Sequence, residues 1–301
     1  MGSSHSYLKE AVLSETICEH CGSKFGIGTA CPDCTWPEIC PNVTVAQNPM
    51  QVAALEARYH DARERLAKAG LEALGDAFEE ALSKSLAIIC CTIGDLQDIL
   101  RIGFKETPYR LGRKRFPIQQ PPNDTDWETI REHADLMLFT SKFWKSYHFG
   151  ALSLEERGLP SYGAVTIVCK EKMIDRRATT FEMNSCKFML VHKINPLIDV
   201  IPDGVRSTWR DRGKLCLAKL VAELVGVPNE KSAFQAILLK AGKNTADDDF
   251  VEVHIFDQLS VRALERVYIA HSKSDPPEKR IVVESLANEV AKYVECRVRP
   301  E

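Results

Sequence analysis

The sequence has 301 residues, of which 45% are hydrophobic, and a formal net charge of −3 at pH 7. This length and apolar content predict a folded protein, and the small net charge argues against a chain that is basic over its whole surface. No apolar run is long enough to span a bilayer, and the first residues lack the basic start and apolar core of a signal peptide. We therefore expect a cytoplasmic protein that has no membrane partner.

Four of the 11 cysteines form two closely spaced pairs near the N-terminus, in the stretch "CEHCGSKFGIGTACPDC". A Cys-x-x-Cys turn lets two thiolates reach one ion at about 2.3 Å, and two such turns complete a tetrahedron around zinc. The spacing therefore predicts a closed, structural zinc ribbon within residues 1–47, with four unligated thiols as the alternative. The loop between the pairs has Lys24 as its only base, which favours a contact with protein or with the rest of this chain over one with nucleic acid. The predicted zinc ligands are Cys18, Cys21, Cys31 and Cys34.

A helix is predicted to connect this ribbon to the rest of the chain. Asn48 and Pro49 form a typical helix start, with a capping side chain followed by proline at the first helical position. Apolar residues then recur at steps of three and four as far as Ala69, and a second apolar stripe follows Gly70. We therefore predict a long helix, broken near its middle, over residues 48–84.

Short apolar runs and helical stretches follow one another in irregular order over residues 85–301. This order predicts an α+β fold in which helices pack on a sheet. The sequence contains no glycine-rich phosphate loop of the Rossmann or P-loop type, so neither class of nucleotide site is supported. The runs predicted as strands are 86–91, 162–169, 187–192, 250–256 and 265–270. The stretches predicted as helices lie near 95–102, 126–148, 210–225, 230–241 and 278–296.

Glu252 is the one acid in residues 250–256, a stretch that otherwise has the pattern of a buried strand. A glutamate that faces solvent from an edge strand is one explanation, because side chains alternate between the two faces of a strand. A carboxylate with a function is the other explanation.

Three segments resemble, in the same order, parts of the bacterial ADP-ribosyltransferases. Residues 90–104, "CCTIGDLQDILRIGF", resemble the opening strand and helix of that family, and residues 159–185, "LPSYGAVTIVCKEKMIDRRATTFEMNS", are similar to a central segment of its toxin-type members. Residues 250–269, "FVEVHIFDQLSVRALERVYI", resemble the family's terminal strand, whose first acid is the catalytic glutamate. The resemblance covers about residues 85–270 and implies an ADP-ribosyltransferase-like split β-sheet core with helices.

The resemblance implies an enzyme that cleaves the nicotinamide–ribose bond of NAD and transfers ADP-ribose to an intracellular target. Breaking this bond builds positive charge on the ribose, much as in glycoside cleavage. A fixed carboxylate at Glu252 would stabilise that charge through electrostatic preorganisation. His254 lies on the same face of the strand, and the resemblance implies that it helps to bind the acceptor or to adjust Glu252.

The resemblance also implies NAD-binding roles for several other residues. Thr92 ends the first strand where relatives hold the nicotinamide amide or the ribose, and a helix-capping threonine is the alternative. Tyr162 would stack on nicotinamide, since an aromatic face suits a flat, partly cationic ring, or it would belong to the core. Arg177, with Arg176 as a rival, would pair with the pyrophosphate. The remaining matches in this segment are Thr179 and Ser185.

The sequence departs from the family's pattern in two places. Phe250 stands where relatives that modify arginine carry another acid, which argues against an arginine acceptor. Many relatives carry Arg or His just before the threonine of the first strand, where this sequence has Cys90 and Cys91. The group that anchors NAD would then come from elsewhere in the chain. The candidates are Arg101, Arg110 and Arg115.

Residues 101–115 contain six basic residues against one acid, with aromatic residues interleaved. Basic side chains beside stackable rings are how proteins hold flexible nucleic acid, whereas a solvated charged surface is the alternative. We therefore predict that the acceptor is nucleic acid, either RNA or DNA. The residues predicted to bind it are Arg110, Arg113, Lys114 and Arg115.

The size of the chain and its ribbon are similar to those of the mRNA-modifying ADP-ribosyltransferase toxins of toxin–antitoxin–chaperone phage-defence systems, although no motif assigns the chain to them. This similarity implies an antitoxin protein as a partner. Two alternatives remain open. One is an ADP-ribosyltransferase that modifies a protein, and the other is a catalytically silent zinc-ribbon binding module.

Overall fold

The computed structural model describes residues 16–25, 30–36, 38–109, 127–139, 142–196, 198–272 and 274–300. The basic residues predicted to bind nucleic acid, Arg110, Arg113, Lys114 and Arg115, lie outside the described residues.

The described part of the chain contains strands and helices in mixed order. The strands are β1 (Thr16–Ile17), β2 (Lys24–Phe25), β3 (Leu86–Cys91), β4 (Phe104–Lys105), β5 (Tyr147–Ser153), β6 (Val165–Cys169), β7 (Ala178–Phe181), β8 (Arg206–Thr208), β9 (Leu239–Lys240), β10 (Asp249–Phe250), β11 (Glu252–Phe256), β12 (Leu259–Ser260), β13 (Leu264–His271) and β14 (Glu295–Pro300). The α-helices are α1 (Pro41–Ala46), α2 (Pro49–Lys68), α3 (Glu72–Ser83), α4 (Ile93–Ile102), α5 (Trp127–Leu138), α6 (Glu171–Ile174), α7 (Ser185–Val191), α8 (Arg212–Leu224), α9 (Lys231–Leu238) and α10 (Pro277–Val290).

A mixed sheet of eight strands forms the centre of the molecule, in the order β14-β13-β6-β3-β5-β11-β7-β8. The pair β13 and β14 is parallel, and the other neighbours in the sheet are antiparallel. The fold is therefore a mixed α/β architecture built on one large sheet, with a group of four cysteines near its N-terminus.

The sheet opens between β3 and β5. These strands pair only where Leu86–Ile88 lie opposite Ala151–Ser153, whereas the rest of β3 pairs with β6 on its other side. Beyond Ile88 the two strands separate, and the first half of β5 pairs with β11 alone. This separation leaves a gap in the middle of the sheet.

β11 lies inside the sheet, between β5 and β7, and its side chains alternate between two covered faces. Val253 and Ile255 belong to the larger apolar core, together with residues of α3, α8 and α9. Glu252 and His254 point to the opposite face and are each only 3% exposed. The explanation that Glu252 faces solvent from an edge strand is therefore wrong.

The segment that connects the cysteine group to the sheet consists of two helices, α2 and α3, where the sequence predicted a long broken helix. Gly70 has a φ of +67° at the junction, a left-handed conformation that terminates helices. Both helices pack against α8. The break therefore folds the second half of the segment back onto the same partner.

Residues 187–192 were predicted as a strand, and this prediction is wrong because 187–191 belong to α7 and His192 is its C-cap. The Asn184 side chain accepts a hydrogen bond from the Lys187 backbone and so caps the helix start. Phe188 is buried while Leu190 and Val191 are exposed, which places the apolar run on two sides of a helix. The stretch 126–148, predicted as helix, ends its helix at Leu138 and contains the start of β5. The strand predicted at 86–91 is confirmed as β3.

Among the described residues, no helix combines the length and the apolar character that crossing a membrane requires.

Candidate functional site

The four cysteines predicted as metal ligands lie together and are buried. Their sulfur atoms lie within 4.8 Å of one another, with Cys18 Sγ 3.5 Å from Cys34 Sγ and Cys21 Sγ 3.7 Å from Cys31 Sγ. Tetrahedral coordination with bonds of about 2.3 Å places the ligand atoms about 3.8 Å apart. The cluster therefore has the donor type and the spacing to bind a metal ion such as zinc.

This cysteine cluster is fastened to the main sheet domain by side chains of both partners. His20 Nε2 lies 2.9 Å from Asp175 Oδ1, and the Ser260 hydroxyl donates to Asp33 Oδ1 at 2.7 Å. The Arg176 guanidinium stacks over the Trp36 ring at 4.1 Å from its centroid. The surface of the ribbon is thus used for a contact within the chain.

Helix α1 follows the cysteine cluster and connects it to β7 and β11. Asn42 is buried, and its Nδ2 donates to the Arg177 carbonyl at 3.0 Å and to the His254 carbonyl at 3.1 Å. The same amide donates to the Thr179 hydroxyl at 3.2 Å. This side chain ties the end of the ribbon to the strand that carries Glu252.

The Glu252 carboxylate is fixed at the start of β11 by hydrogen bonds from two sides. Its Oε2 accepts from the Ser185 backbone N–H at 3.0 Å and from His254 Nε2 at 2.8 Å. Its Oε1 lies at the long distance of 3.5 Å from Asn184 Nδ2. Oε2 is therefore held by close donors, while Oε1 has only a weak contact and remains the oxygen that can accept from a ligand.

His254 is itself held in place by aromatic rings. The centroids of Phe139, Phe149 and Phe181 lie 5.0, 5.5 and 5.8 Å from the centre of its imidazole. These rings leave the imidazole little freedom to rotate, so the hydrogen bond to Glu252 is maintained by packing as well as by its own strength.

A cavity of about 360 Å³ opens beside Glu252, in the gap where β3 and β5 separate. Its volume lies within the usual range of small-molecule sites. The lining includes an acid, amide and phenol groups, and two cationic side chains. The lining residues that matter for the chemistry are Glu252, Asn184, Ser185, Tyr162, Lys105 and Arg131.

Tyr162 lies in the turn before β6 and lines this cavity. Its ring contacts the edge of Phe250 with centroids 6.1 Å apart, and its hydroxyl oxygen lies 3.4 Å from Asn184 Nδ2. Burial, together with the negative charge of Glu252, raises the pKa of the Tyr162 phenol, which therefore stays protonated at neutral pH. Gly163 holds the turn against β3, because a Cβ there would lie 2.2 Å from the Cys91 carbonyl oxygen.

Three residues predicted to bind NAD have other contacts and do not line the cavity. Thr92 is exposed and forms a capping box with Asp95 at the start of α4, which is the capping alternative. Arg177 is fully buried and donates to the carbonyls of Met173, Phe256 and Gln258 at 2.7 to 2.9 Å. Thr179 accepts from Asn42. These contacts indicate that the three residues stabilise the fold.

Of the alternative cations considered for the NAD anchor, the two that the structure describes also lie elsewhere, whereas Arg110 and Arg115 are outside the described residues. Arg176 covers Trp36 of the ribbon, and Arg101 pairs with Asp98 on the exposed side of α4. Ser185, in contrast, lines the cavity, and its backbone N–H is the group that donates to Glu252.

Sequence reasoning did not identify Asn184, Lys105, Arg131 or His148 as cavity residues. Asn184 directly precedes a helix, and a capping asparagine is a signal that could have found it. Lys105, Arg131 and His148 come from β4, α5 and β5, which only the tertiary fold brings together.

Comparison of the sequence with models of known protein families gives no match, and comparison with curated proteins finds no relative.

Proposed function

We propose that this protein is an NAD-dependent mono-ADP-ribosyltransferase that cleaves the nicotinamide–ribose bond and transfers ADP-ribose to an intracellular acceptor. The observation that carries this proposal is the Glu252 carboxylate, which is buried at the wall of a ligand-sized cavity and fixed by donors on one oxygen. Such a group suits a reaction in which positive charge develops on a sugar ring.

Glu252 and His254 would act as a unit in this reaction. The two donors on Oε2 orient the carboxylate before the ligand arrives, so that Oε1 faces the cavity without further reorganisation. A carboxylate that is already oriented stabilises developing positive charge more effectively than one that must first shed water. His254 is a positioning residue in this scheme, because the aromatic rings around it separate it from the cavity.

The cavity offers groups that suit the different parts of NAD. The Tyr162 ring presents an aromatic face for a flat, partly cationic nicotinamide. Two cations, Lys105 and Arg131, also line the cavity and give it positive charge. Arg177 is not available to the pyrophosphate, because its guanidinium donates to three backbone carbonyls. Because nicotinamide leaves as a neutral group, the site needs no second carboxylate to act as an acid.

Nucleic acid is the acceptor that we propose. Pro108, which precedes the predicted nucleic-acid-binding residues in the chain, lines the cavity. Basic residues that follow a cavity residue in the sequence would bring a flexible, negatively charged strand to the reacting group. Transfer to nucleic acid inside the cell would be toxic, so the proposal includes an antitoxin protein as a partner.

The proposal assigns zinc to the cysteine cluster as a structural ion. Its four thiolates would fill all coordination positions, so the metal would support the fold and take no part in the reaction.

The test measures nicotinamide release and the transfer of label from NAD that is radiolabelled in its adenylate part. We expect the wild type to label RNA or DNA and the Glu252→Gln variant to lose at least about 100-fold of both activities, since Gln keeps the hydrogen bonds but removes the charge. Glu155→Gln, at an exposed acid outside the cavity, is the matched control and should behave as wild type.

Full activity of a folded Glu252→Gln variant would contradict the assignment of the catalytic residue. Label that appears only on protein would contradict the nucleic-acid acceptor. Release of nicotinamide is measured with water as the acceptor, so a wild type that neither releases nicotinamide nor transfers label would refute the enzyme function as a whole.

A further inference from the structure

Lys105 is a buried lysine that has no ion-pair partner among the residues that the structure describes. The residue belongs to β4, pairs through its backbone with Leu259 of β12, and is only 8% exposed. No other residue that the structure describes accepts a hydrogen bond from its ammonium or forms an ion pair with it.

The other buried or nearly buried cations of the described chain each have at least one hydrogen-bond or ion-pair partner. Arg177, Arg206 and Arg212 each donate to at least one backbone carbonyl. Lys219, whose side chain is 10% exposed, pairs with Asp249 at 2.8 Å. Burial of a charge is costly unless a partner or a dipole compensates for it, so the lack of a partner at Lys105 requires an explanation.

The position of Lys105 supplies that explanation, because it lines the same cavity as Glu252. Lys105 also lies close enough to the end of β3 to affect Cys91. Burial raises the pKa of the Cys91 thiol to about 12, and the positive charge of Lys105 acts to lower this pKa. Glu252 and Lys105 form no ion pair with each other. The cavity thus presents a negative group and a positive group that do not neutralise one another.

We propose that Lys105 binds a phosphate group of the cavity's ligand. The inference rests on the proposed function for the identity of that ligand, which is the diphosphate of NAD. A ligand with a cationic ring at one end and a diphosphate in its middle complements a cavity with separated acid and lysine. Lysine is a common partner of phosphate, which it binds as a compact point charge.

The experiment compares Lys105→Met with wild type by calorimetry, using NAD and nicotinamide riboside, which has the same ring and ribose but no phosphate. We expect NAD affinity to fall by about 10- to 100-fold, as for the loss of a hydrogen bond to a charged group, while nicotinamide riboside binds as it does to wild type. Without ligand, Lys105→Met should melt at the same temperature as wild type or at a higher one, because it removes an uncompensated charge.

Lys219→Met is the matched control, since it removes a buried lysine that does have a carboxylate partner. It should lower the melting temperature and leave NAD affinity unchanged. The inference is overturned if Lys105→Met binds NAD as tightly as wild type, or if it melts well below wild type.

The failure of the inference and the failure of the proposed function give different results. If the protein turns over NAD but its affinity for NAD does not depend on Lys105, the inference is overturned and the enzyme function stands. Binding of inorganic pyrophosphate that depends on Lys105, in a protein that does not turn over NAD, would support the phosphate site and refute the transferase.

Discussion

The cysteine cluster and the cavity are two polar sites that satisfy their groups in opposite ways. In the cluster, four like donors converge on one point, and the surrounding side chains of His20 and Asp33 pair with residues of the main sheet domain. In the cavity, one oxygen of Glu252 and the ammonium of Lys105 lack close partners among the described residues. This difference indicates that the cysteine cluster stabilises the fold and that the cavity suits a ligand. Changes in the first site should therefore affect folding, and changes in the second should affect binding.

Removing the metal should have the largest effect on folding. Structural zinc contributes about 10–16 kcal/mol in isolated zinc-finger peptides at pH 7, and a ribbon of this size has little apolar core of its own. We expect a chelator to release one equivalent of zinc, to lower the melting temperature, and to increase hydrogen exchange over residues 16–36.

A Cys296→Ser variant is the control for this measurement, because Cys296 is a half-buried thiol in β14, away from the cluster. It should retain the metal. Unchanged exchange over residues 16–36 after complete metal removal would show that the ribbon folds without zinc, and would break the contrast between the two sites.

Replacing Arg177 with Met should have the next largest effect. The substitution leaves three carbonyl oxygens, those of Met173, Phe256 and Gln258, without their donor. We expect a loss of roughly 3 kcal/mol in the free energy of unfolding, measured in urea, with little change in the NAD affinity of the folded protein. The neighbouring Arg176→Met, which removes a stacking contact with Trp36, should cost about 1 kcal/mol. A loss of NAD affinity at unchanged stability would instead place Arg177 at the pyrophosphate.

Replacing Thr92 with Ala should have the smallest effect. The hydroxyl accepts from the Asp95 backbone at the start of α4, and loss of such a cap costs about 1 kcal/mol. Thr92→Ser keeps this hydrogen bond and should retain wild-type stability. Calorimetry with NAD should give the same affinity for both variants and for wild type, and a weaker affinity for Thr92→Ala alone would assign the threonine to the ligand.

Predictions from the sequence were accurate where local chemistry decides the structure. The spacing of the cysteines predicted a cluster that the structure contains, since two short turns already bring the thiols together. β3 has the predicted bounds because its residues are apolar and β-branched or small between clear ends. The helix start at Asn48 and Pro49 is confirmed for the same reason, because capping depends on neighbouring residues.

The predictions failed where distant parts of the chain decide the structure. Residues 187–192 form a continuous apolar run that suits a strand or a helix, and the choice depends on packing against α5 and on the cap at Asn184. Arg177 looked like an anion-binding residue because its sequence context matched a family pattern. Its side chain instead donates to the nearby Met173 carbonyl and to the distant carbonyls of Phe256 and Gln258. The role of Lys105 could not be found from the sequence, since its neighbours in the chain do not reveal that it is buried with no carboxylate of the described residues beside it.

Gly163 lies so close to β3 that a side chain at this position would collide with the Cys91 carbonyl. Gly163 also has a φ of +132°, so any other amino acid there would strain the backbone as well as collide with β3. A larger residue there would push the turn that carries Tyr162 away from β3. The glycine therefore sets how far apart the two walls of the cavity stand at this end.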